Sequence, residues 1–447
     1  MPIKVGMVSL GCSKNLVDSE RMLAKLRKKG YKLVTEPGLA DIAVVNTCGL
    51  IQSAKEEAIE TILELGKLKE EGTIKKIIVT GCLAERYKEE AAELFPEADA
   101  VVGIGNGKDI VDIIDHVLAN ERVVDFAPKL DMELTGDRII STLPFFSYLK
   151  VAEGCSNCCT YCAIPMIRGK FRSVPIEDAV AEAKWLADNG VTELVVIAQD
   201  TTRYGEDLYG ESKLPELLRR IAEIDGIRWI RTLYCYPERI TDELLDTIAN
   251  EEKIVKYLEI PIQHCDGEIL SRMNRWGDEQ QLEALFAKIR AKIPNVILRT
   301  TLITGFPGET EEQFNRLAEF VQRVRFDRLG CFAYSQEEGT KAADFPDQID
   351  GETASRRADL IMEQQMLISS ENNQNLMGAE LTAVVEGYDR FGECYFGRTE
   401  MDAPDIDGKV FFTSAEKLNM GDYVKIRITE TLDYDLIGEV IGNEPAK

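Results

Sequence analysis

Short apolar segments alternate with helical segments along the first 125 residues of the chain. The apolar segments have the length and composition of buried strands, and they cover residues 3–10, 42–46, 77–80 and 100–102. Apolar positions recur with a helical period between them, over residues 18–29, 53–69 and 109–118. Buried strands joined by helices form a parallel sheet with helices on its faces. We therefore predict a parallel α/β domain over residues 1–125.

A second alternation follows a linker at residues 126–143, which is rich in turn-forming and polar residues. It predicts six strands, at residues 145–153, 193–199, 228–236, 257–263, 296–304 and 328–334. Helical patterns separate them, and a polar helix follows at residues 346–375. Six βα units of this length fit a partial (β/α)6 barrel, whose chemistry lies at the carboxyl ends of the strands. We predict this barrel domain over residues 144–375.

The remaining residues, 376–447, change to an all-β pattern. Five short strands are predicted, at residues 381–386, 394–397, 409–412, 423–430 and 436–441. Glycine, aspartate and proline separate them, as in a small closed barrel that grips a polymer.

The composition indicates where the protein is located in the cell and what roles its cysteines have. The chain has 447 residues, and we find neither a secretory signal nor an apolar run of the ~20 residues that a membrane span needs. We expect a cytoplasmic protein, with no membrane contact. Its eleven cysteines are then expected to be ligands, catalysts or core residues rather than disulfides. No long heptad pattern is present, so we expect a monomer.

The run Cys-Ser-Asn-Cys-Cys-Thr-Tyr-Cys at residues 155–162 carries the strongest chemical signal. Cys155, Cys159 and Cys162 have the CxxxCxxC spacing that leaves one iron of a [4Fe–4S] cube open to a small molecule. With Cys158, the same run has CxxC-CxxC spacing, which would suit a closed four-thiolate zinc site. The residues of this run alone leave both alternatives open.

Three further cysteines each follow a predicted strand of the first domain: Cys12, Cys48 and Cys82. The carboxyl ends of neighbouring parallel strands meet at one edge of a sheet, where ligands usually bind. A glycine beside each cysteine would let the backbone approach a bulky cluster. Buried cysteine is also a common core residue. Because the placement occurs three times, we predict one shared cluster site.

Five segments of the chain, taken in order, resemble the methylthiotransferases, a family of radical S-adenosylmethionine (SAM) enzymes. They are SLGCSKNLVDSE, VVNTCG, TGCLAERY, EGCSNCCTYCAIPMIRGKFRS and TLITGFPGET. The resemblance covers nearly the whole chain and implies an N-terminal cluster domain, a radical SAM barrel and a C-terminal TRAM domain. It implies two [4Fe–4S] clusters, one on Cys155, Cys159 and Cys162, and one on the other cysteine triad. Cys158 then becomes a bystander.

The resemblance also implies the reaction and its partners. SAM on the open iron would give a 5′-deoxyadenosyl radical that removes hydrogen from an unactivated carbon. The second cluster would present sulfur, and SAM would also donate a methyl group to it. An electron donor such as flavodoxin and a sulfur source are therefore expected partners.

Further residues near the predicted strand ends are candidate contacts for SAM. They are Tyr161, Gln199, Asp200, Arg168 and Gly305, the last in the turn at residues 304–309. Tyr161 would lie against the adenine or simply pack at the barrel mouth. Arg168, with Arg172, would hold a carboxylate or form a solvated surface pair.

Substrate choice divides the family into two branches. The opening SLGCSKNLVDSE resembles the RimO type, which modifies an aspartate β-carbon in ribosomal protein S-twelve; the tRNA branch typically has Gln-Met at positions 13–14.

The terminal barrel has fifteen acidic and seven basic residues, and the chain has a net charge of −25. An acidic module repels phosphates and attracts a basic protein. We therefore expect a protein substrate rather than nucleic acid. The alternatives are a tRNA adenosine methylthiotransferase and a zinc-stabilised adaptor without chemistry.

Overall fold

A computed structural model of the protein describes residues 2–443. The first domain is a six-stranded sheet with every neighbouring pair parallel, in the order β2-β1-β3-β4-β5-β6. Its elements are β1 (Lys4–Ser9), α1 (Ser13–Lys29), β2 (Lys32–Val34), β3 (Ile42–Thr47), α2 (Gln52–Glu70), β4 (Lys76–Gly81), α3 (Cys82–Tyr87), α4 (Glu89–Leu94), β5 (Ala100–Val102), α5 (Ile110–Leu118) and β6 (Val123–Asp125).

The sequence did not predict β2 and β6, which form the two edges of this sheet. Each has three residues, which is too short for a run of alternating or apolar positions to be recognised. Helix α1 begins five residues earlier than the predicted residue 18. Its first turn contains the polar residues Lys14 and Asn15, which are buried against other parts of the protein and therefore do not follow an apolar pattern.

The central domain contains the predicted six-stranded parallel sheet, in the order β14-β13-β12-β11-β10-β7. Its elements are β7 (Phe146–Lys150), β8 (Ala152–Glu153), α6 (Ile164–Arg168), β9 (Arg172–Ser173), α7 (Ile176–Asp188), β10 (Glu193–Ile197), α8 (Glu206–Tyr209), α9 (Leu214–Ala222), β11 (Trp229–Thr232), α10 (Asp242–Asn250), β12 (Ile254–Glu259), α11 (Gly267–Arg272), α12 (Glu279–Lys292), β13 (Ile297–Thr304), α13 (Glu311–Val324), β14 (Arg328–Ala333) and α14 (Gly351–Gln374).

The sheet does not close, because β7 and β14 are not paired with each other. One face packs against the surrounding helices through a large apolar core. The other face carries Tyr148, Val195 and Tyr257, which pack against Val17 of α1 and against Tyr423 of the C-terminal domain. The two flanking domains therefore cover one face of the open barrel.

The C-terminal domain is a closed five-stranded barrel, as predicted. Its strands are β15 (Glu380–Asp389), β16 (Cys394–Thr399), β17 (Val410–Thr413), β18 (Tyr423–Thr431) and β19 (Leu436–Asn443). Alternating buried positions such as Val424, Ile426 and Ile428 fill its interior. The predicted fold class is thus confirmed for all three parts of the chain, while the residues at which the domains divide stay a prediction.

Buried ion pairs attach this small barrel to the central sheet. Arg398 of β16 donates to Glu193, the first residue of β10, at 2.7 Å, and Arg231 of β11 donates to the same carboxylate at 3.2 Å. A second contact joins Arg328 to Asp402 at 2.7 Å. The two domains are therefore held together by charge as well as by apolar packing.

Across residues 2–443, no helix combines the length and the apolar character needed to cross a membrane.

Candidate cluster and cofactor site

The loops that carry Cys12, Cys48 and Cys82 meet at one edge of the first sheet. They follow β1, β3 and β4, which are neighbours in that sheet. A Cβ atom added to Gly11 would lie 2.8 Å from the Cys48 sulfur, so the first two loops are in close contact. The thiols are also near enough for the Cys12 and Cys48 charges to raise the pKa of Cys82. The structure therefore brings this predicted triad, called the first triad below, to one place.

The glycines beside these cysteines let the protein segments of the site approach one another closely. A Cβ atom on Gly49 would lie 2.7 Å from the Leu83 Cα atom, and one on Gly81 would overlap the backbone and side chains of β3. Their role in admitting a cluster stays a prediction.

The three thiols differ in their surroundings. Cys82 is buried, which raises its pKa to about 12, and Cys48 is half-buried with its pKa raised by the same cause. Desolvation acts to raise the pKa of Cys12, but Lys14 and Arg168 outweigh that effect and the pKa is lowered. Cys12 is therefore the thiol of this triad that ionises most readily.

The second triad, Cys155, Cys159 and Cys162, lies in the loop between β8 and α6. Cys155 and Cys159 are buried, Cys162 is half-buried, and the three thiols influence one another electrostatically. Cys158 is exposed and has a left-handed backbone with φ of 53°. It is thus the one cysteine of the run that is turned toward solvent, as expected for a bystander.

Two residues beside Cys159 were missed by the sequence reasoning. Arg275 and the Tyr236 hydroxyl each lie 3.8 Å from the Cys159 sulfur, and the guanidinium stacks 4.0 Å from the tyrosine ring centroid. Tyr236 ends the predicted strand 228–236 at the chemically active end of the barrel, which was a usable signal. Arg275 lies in an irregular loop, and nothing in its neighbourhood of the sequence marks it.

A zinc site receives no support from the geometry. Within residues 2–443, no three His, Cys, Asp or Glu side chains are grouped closely enough to hold a single metal ion. Four-thiolate zinc requires every sulfur about 2.3 Å from one ion. A [4Fe–4S] cube holds its thiolates farther apart, and soft thiolate ligands are the set that such clusters use. Each triad therefore has the ligand chemistry of such a cluster.

Arg168 lies between the two triads. Its guanidinium donates to Asp18 at 3.0 Å, to Glu153 at 2.9 Å and to Asn15 at 3.1 Å. Burial raises the pKa of the Cys82 thiol, and the nearby Arg168 charge acts in the opposite direction. The next residue, Gly169, accepts a 3.0 Å hydrogen bond from the Cys155 amide. The segment after Cys162 therefore contacts both triads at once.

The alternative of a solvated surface pair for Arg168 and Arg172 is wrong. Arg168 is buried, and Arg172 donates to the backbone carbonyls of Lys129 and Leu130 at 3.1 and 3.0 Å. A carboxylate of SAM or substrate on Arg168 stays a prediction, although two protein carboxylates already occupy this guanidinium.

Gln199 and Asp200 lie just after β10, close to the second triad. Asp200 is buried and accepts a hydrogen bond from the Asn157 amide at 2.8 Å. Burial raises the pKa of Cys155, and the negative charge of Asp200 raises it further. The Gln199 amide nitrogen lies 3.5 Å from Glu153, whereas its carbonyl oxygen is buried without a partner among the described protein atoms. An acceptor left free in this position suits a ligand that carries an ammonium group.

Tyr161 faces a cleft between the first and second domains. The cleft has a volume of about 390 Å³ and is lined by Tyr161, Cys162 and Gln263 on one side and by Leu50 to Ser53 on the other. The second set directly follows Cys48. Tyr161 also packs against Phe306 and Met273, so both of its predicted roles are compatible with its position.

Gly305 is enclosed by the protein itself. Its φ is +73°, and an added Cβ atom would lie 2.8 Å from the Cα atom of Ala354 in α14. The turn therefore needs glycine because the long helix crosses it closely. Its contact with SAM stays a prediction.

Models of three known families match the chain in the order of its domains. They are the uncharacterized protein family UPF0004 over residues 4–103, the radical SAM superfamily over residues 149–321 and the TRAM domain over residues 377–441. The radical SAM barrel and the TRAM domain expected from the sequence are thereby confirmed.

Curated relatives match from end to end. The ribosomal protein uS12 methylthiotransferases RimO of Lachnoclostridium phytofermentans and Desulforamulus reducens are each 49% identical over 98% of this chain and 99% of their own. The RimO protein of Acetivibrio thermocellus is 47% identical over the full length of both chains. The chain belongs to the RimO family. Membership in this radical SAM family implies that the chain uses SAM and a [4Fe–4S] cluster.

Solved structures show the same fold at low sequence identity. The radical SAM methyltransferase TsrM from Kitasatospora setae, with cobalamin and a [4Fe–4S] cluster bound, aligns with a TM-score of 0.57 at 13% identity. The alignment covers 85% of this chain and 79% of that one. It supports the arrangement of an α/β domain beside an open radical SAM barrel.

Proposed function

We propose that the protein is a radical SAM methylthiotransferase that places a methylthio group on the β-carbon of an aspartate in ribosomal protein uS12, the S-twelve protein. The observation that carries this proposal is the pair of cysteine triads on either side of one buried segment, Arg168 to Gly169. Full-length relatives bearing the RimO name support the substrate.

The residues present would hold two [4Fe–4S] clusters. Cys155, Cys159 and Cys162 would hold the one that binds SAM, and the first triad would hold the other. When bound, the clusters would supply an electron and a sulfur atom, and SAM would supply the carbon-centred radical and the methyl group. The chain itself buries Cys155 and Cys159 and places Arg275 and Tyr236 over Cys159, which keeps water from that side.

The cleft between the triads would bind and orient the reactants. Within the cleft, Tyr161 offers a flat apolar surface for a purine. The free Gln199 oxygen, just after β10, is an acceptor for an ammonium group. Asp200, whose carboxylate already accepts from Asn157 and Thr202, stays a predicted contact. Leu50 to Ser53 close the opposite side of the cleft. A target carbon in this cleft would lie within reach of groups held by either triad.

The charge of the TRAM domain supports a basic protein substrate, with one correction. Three of its acidic residues, Glu386, Asp402 and Asp407, are taken up in ion pairs with Arg398, Arg328 and Arg299. The pairs of Asp402 and Asp407 join the TRAM domain to the central sheet, and the pair of Glu386 lies within the TRAM domain. None of these three carboxylates is free to attract a partner. Exposed carboxylates such as Asp433 and Glu439 remain to steer a lysine- and arginine-rich protein.

The proposal also includes the location of the protein, its oligomeric state and its partners. The protein would act as a cytoplasmic monomer, with an electron donor such as flavodoxin and an external sulfur source. Nucleic acid would not be its substrate.

The direct test offers two polymers to the anaerobically reconstituted enzyme in one tube: purified uS12 and unmodified tRNA. SAM, a reductant and sulfide complete the mixture, and mass spectrometry follows both polymers. We expect one methylthio group on an aspartate of uS12 and none on the tRNA. Modification of the tRNA alone would keep the radical chemistry and overturn the substrate. SAM cleavage with neither polymer modified would show that both substrate assignments are wrong.

A further inference from the structure

A basic cleft lies on the outer side of the first triad. It has a volume of about 470 Å³ and forms where α3, α6 and residues 126–130 meet. Five cationic side chains line it together with a single carboxylate, Glu85; the cations are Lys88, Lys129, Arg168, Lys170 and Arg172. Such a concentration of positive charge is unexpected in a chain of net charge −25.

Most of this positive charge is not neutralised. Arg168 is paired with Asp18 and Glu153, and the Lys129 ammonium lies 3.7 Å from Glu85. Arg172 donates to backbone carbonyls instead of a carboxylate. Among the residues that the structure describes, Lys88, Lys170 and Arg172 have no carboxylate within 4.0 Å. The cleft therefore has a net positive charge.

The cleft reaches the first triad through its inner wall. Arg168 forms part of that wall, and its charge is near enough to act on the Cys82 thiol. Glu85 lies one turn after Cys82 on α3, and Ala163 and Ile167, at and in α6, form one apolar cluster with the same cysteine. The residues that line the cleft are therefore close neighbours of the first triad.

We propose that this cleft admits an anionic inorganic sulfur species, with hydrosulfide as the simplest case, to the first triad. The inference rests on the proposed function, which consumes sulfur at that triad. Hydrosulfide is an anion in neutral to mildly alkaline water, and the overall negative charge of the protein repels it. A local patch of uncompensated cations offsets this repulsion and raises the anion concentration beside the triad.

The test uses full-length protein in which Cys155, Cys159 and Cys162 are replaced by alanine, so that only the first triad holds a cluster. Hydrosulfide is titrated into the reduced protein, and the change in the electron paramagnetic resonance spectrum gives the half-saturating concentration. The same titration is repeated with methanethiol, which is of similar size and uncharged at the same pH. The charge-reversed variant is Lys88→Glu with Lys170→Glu, and the matched control is the exposed Lys184→Glu on α7.

We expect the double charge reversal to raise the half-saturating hydrosulfide concentration about three- to tenfold at low salt, and less at high salt. Methanethiol binding and the Lys184→Glu control should be unchanged. An unchanged hydrosulfide titration, or an equal loss for both sulfur compounds, would overturn the proposal. So would unchanged hydrosulfide binding with slower reduction by flavodoxin, which would identify the cleft as a docking site for an acidic protein.

A separate measurement distinguishes this proposal from the proposed function. If the alanine variant holds no iron, the two-cluster assignment fails, and the cleft is then tested on the free thiols. The alkylation rate of Cys82 by anionic iodoacetate, relative to neutral iodoacetamide, should fall in the charge-reversed variant. If the ratio of the two alkylation rates stayed constant, the proposal that the cleft attracts anions would be wrong, whether or not the first triad holds a cluster.

Discussion

At the scale of single residues, Arg168 connects the parts of the site. Its guanidinium is fully enclosed and reaches Asn15 and Asp18 of the first domain, Glu153 of the second and the thiol of Cys82. One side chain therefore fixes how the first triad is placed relative to the barrel. Buried charges of this kind are stable only while every partner is present.

Replacing Arg168 with methionine should therefore destabilise the protein strongly. Asp18 and Glu153 would lose a charged partner and keep Lys150, and breaking a buried pair in this way costs about 3–5 kcal/mol. The measurement is the urea midpoint of the anaerobic protein. Arg172→Met, which removes only hydrogen bonds to backbone carbonyls, is the control. An equal decrease of the urea midpoint in the two variants would contradict the role of Arg168 in joining the first domain to the barrel.

The cysteines were predictable from the sequence, whereas their neighbours were not. Position after a strand indicated the first triad, and spacing together with the family resemblance indicated the second, because those signals are local in the chain. Arg168 was recognised as a candidate, but its partners Asn15 and Asp18 lie about 150 residues away and only folding brings them together. Arg275 was missed for the same reason, since its contact with Cys159 spans 116 residues.

At the scale of elements, the turn at Gly154 places the second triad. Gly154 has φ of +75°, and an added Cβ atom would overlap the Lys170 carbonyl and lie 2.7 Å from that of Gly169. The neighbouring Cys155 amide donates to this same Gly169 carbonyl. Glycine is thus required where the cysteine loop crosses the segment after α6.

We expect Gly154→Ala to displace that segment and to lower the iron content of the SAM-binding site. The control is Gly190→Ala, which has φ of +92° and open space around the added atom. That change should cost only the left-handed strain of about 1–2 kcal/mol and leave the iron content intact. Iron and sulfide analysis, with the thermal midpoint, compares the two. Normal iron loading of Gly154→Ala would show that the crossing is not needed.

Elements were predicted well where burial is complete. The inner strands of both parallel sheets have continuous apolar runs, because helices cover at least one of their faces and neighbouring strands exclude water. The short edge strands β2 and β6 lack that signal. The surroundings of Gly305 could not be predicted for a related reason. The sequence shows a turn that contains glycine, but not that Ala354 of α14 lies against it.

At the scale of the whole molecule, Glu193 connects the TRAM domain to the barrel. It is completely buried; burial alone would raise its pKa, but Arg398 and Arg231 outweigh this and lower it. A carboxylate with a lowered pKa contributes stability above its unfolded-state pKa of about 4.3. That contribution is lost as the pH falls through the lower, folded-state value.

Glu193→Gln should therefore be less stable than the wild type at pH 7, by about 3–5 kcal/mol, and should lose less stability on acidification. Urea midpoints at several pH values between 7 and 3 measure both effects. Glu177→Gln, which breaks an exposed pair with Arg220, is the control and should change little at pH 7. A parallel pH dependence in wild type and Glu193→Gln would contradict this account of domain docking.

Net charge predicted the class of substrate only in outline. The sequence count treats all fifteen acidic residues of the last domain alike, whereas some of them pair with arginines at the barrel interface. The converse error occurs beside the first triad, where a basic cleft lies within an acidic chain. Charge totals describe a domain, and only the fold shows which charges a partner meets.

Two independent cysteine triads are the basis of the proposed function, and counting iron tests them most directly. The anaerobically reconstituted wild type should hold about eight iron atoms per chain, and Cys48→Ala and Cys159→Ala about four each. Cys158→Ala, the matched control, should keep all eight. Four iron atoms in the wild type, or the loss of all iron from either single variant, would contradict two separate cluster sites.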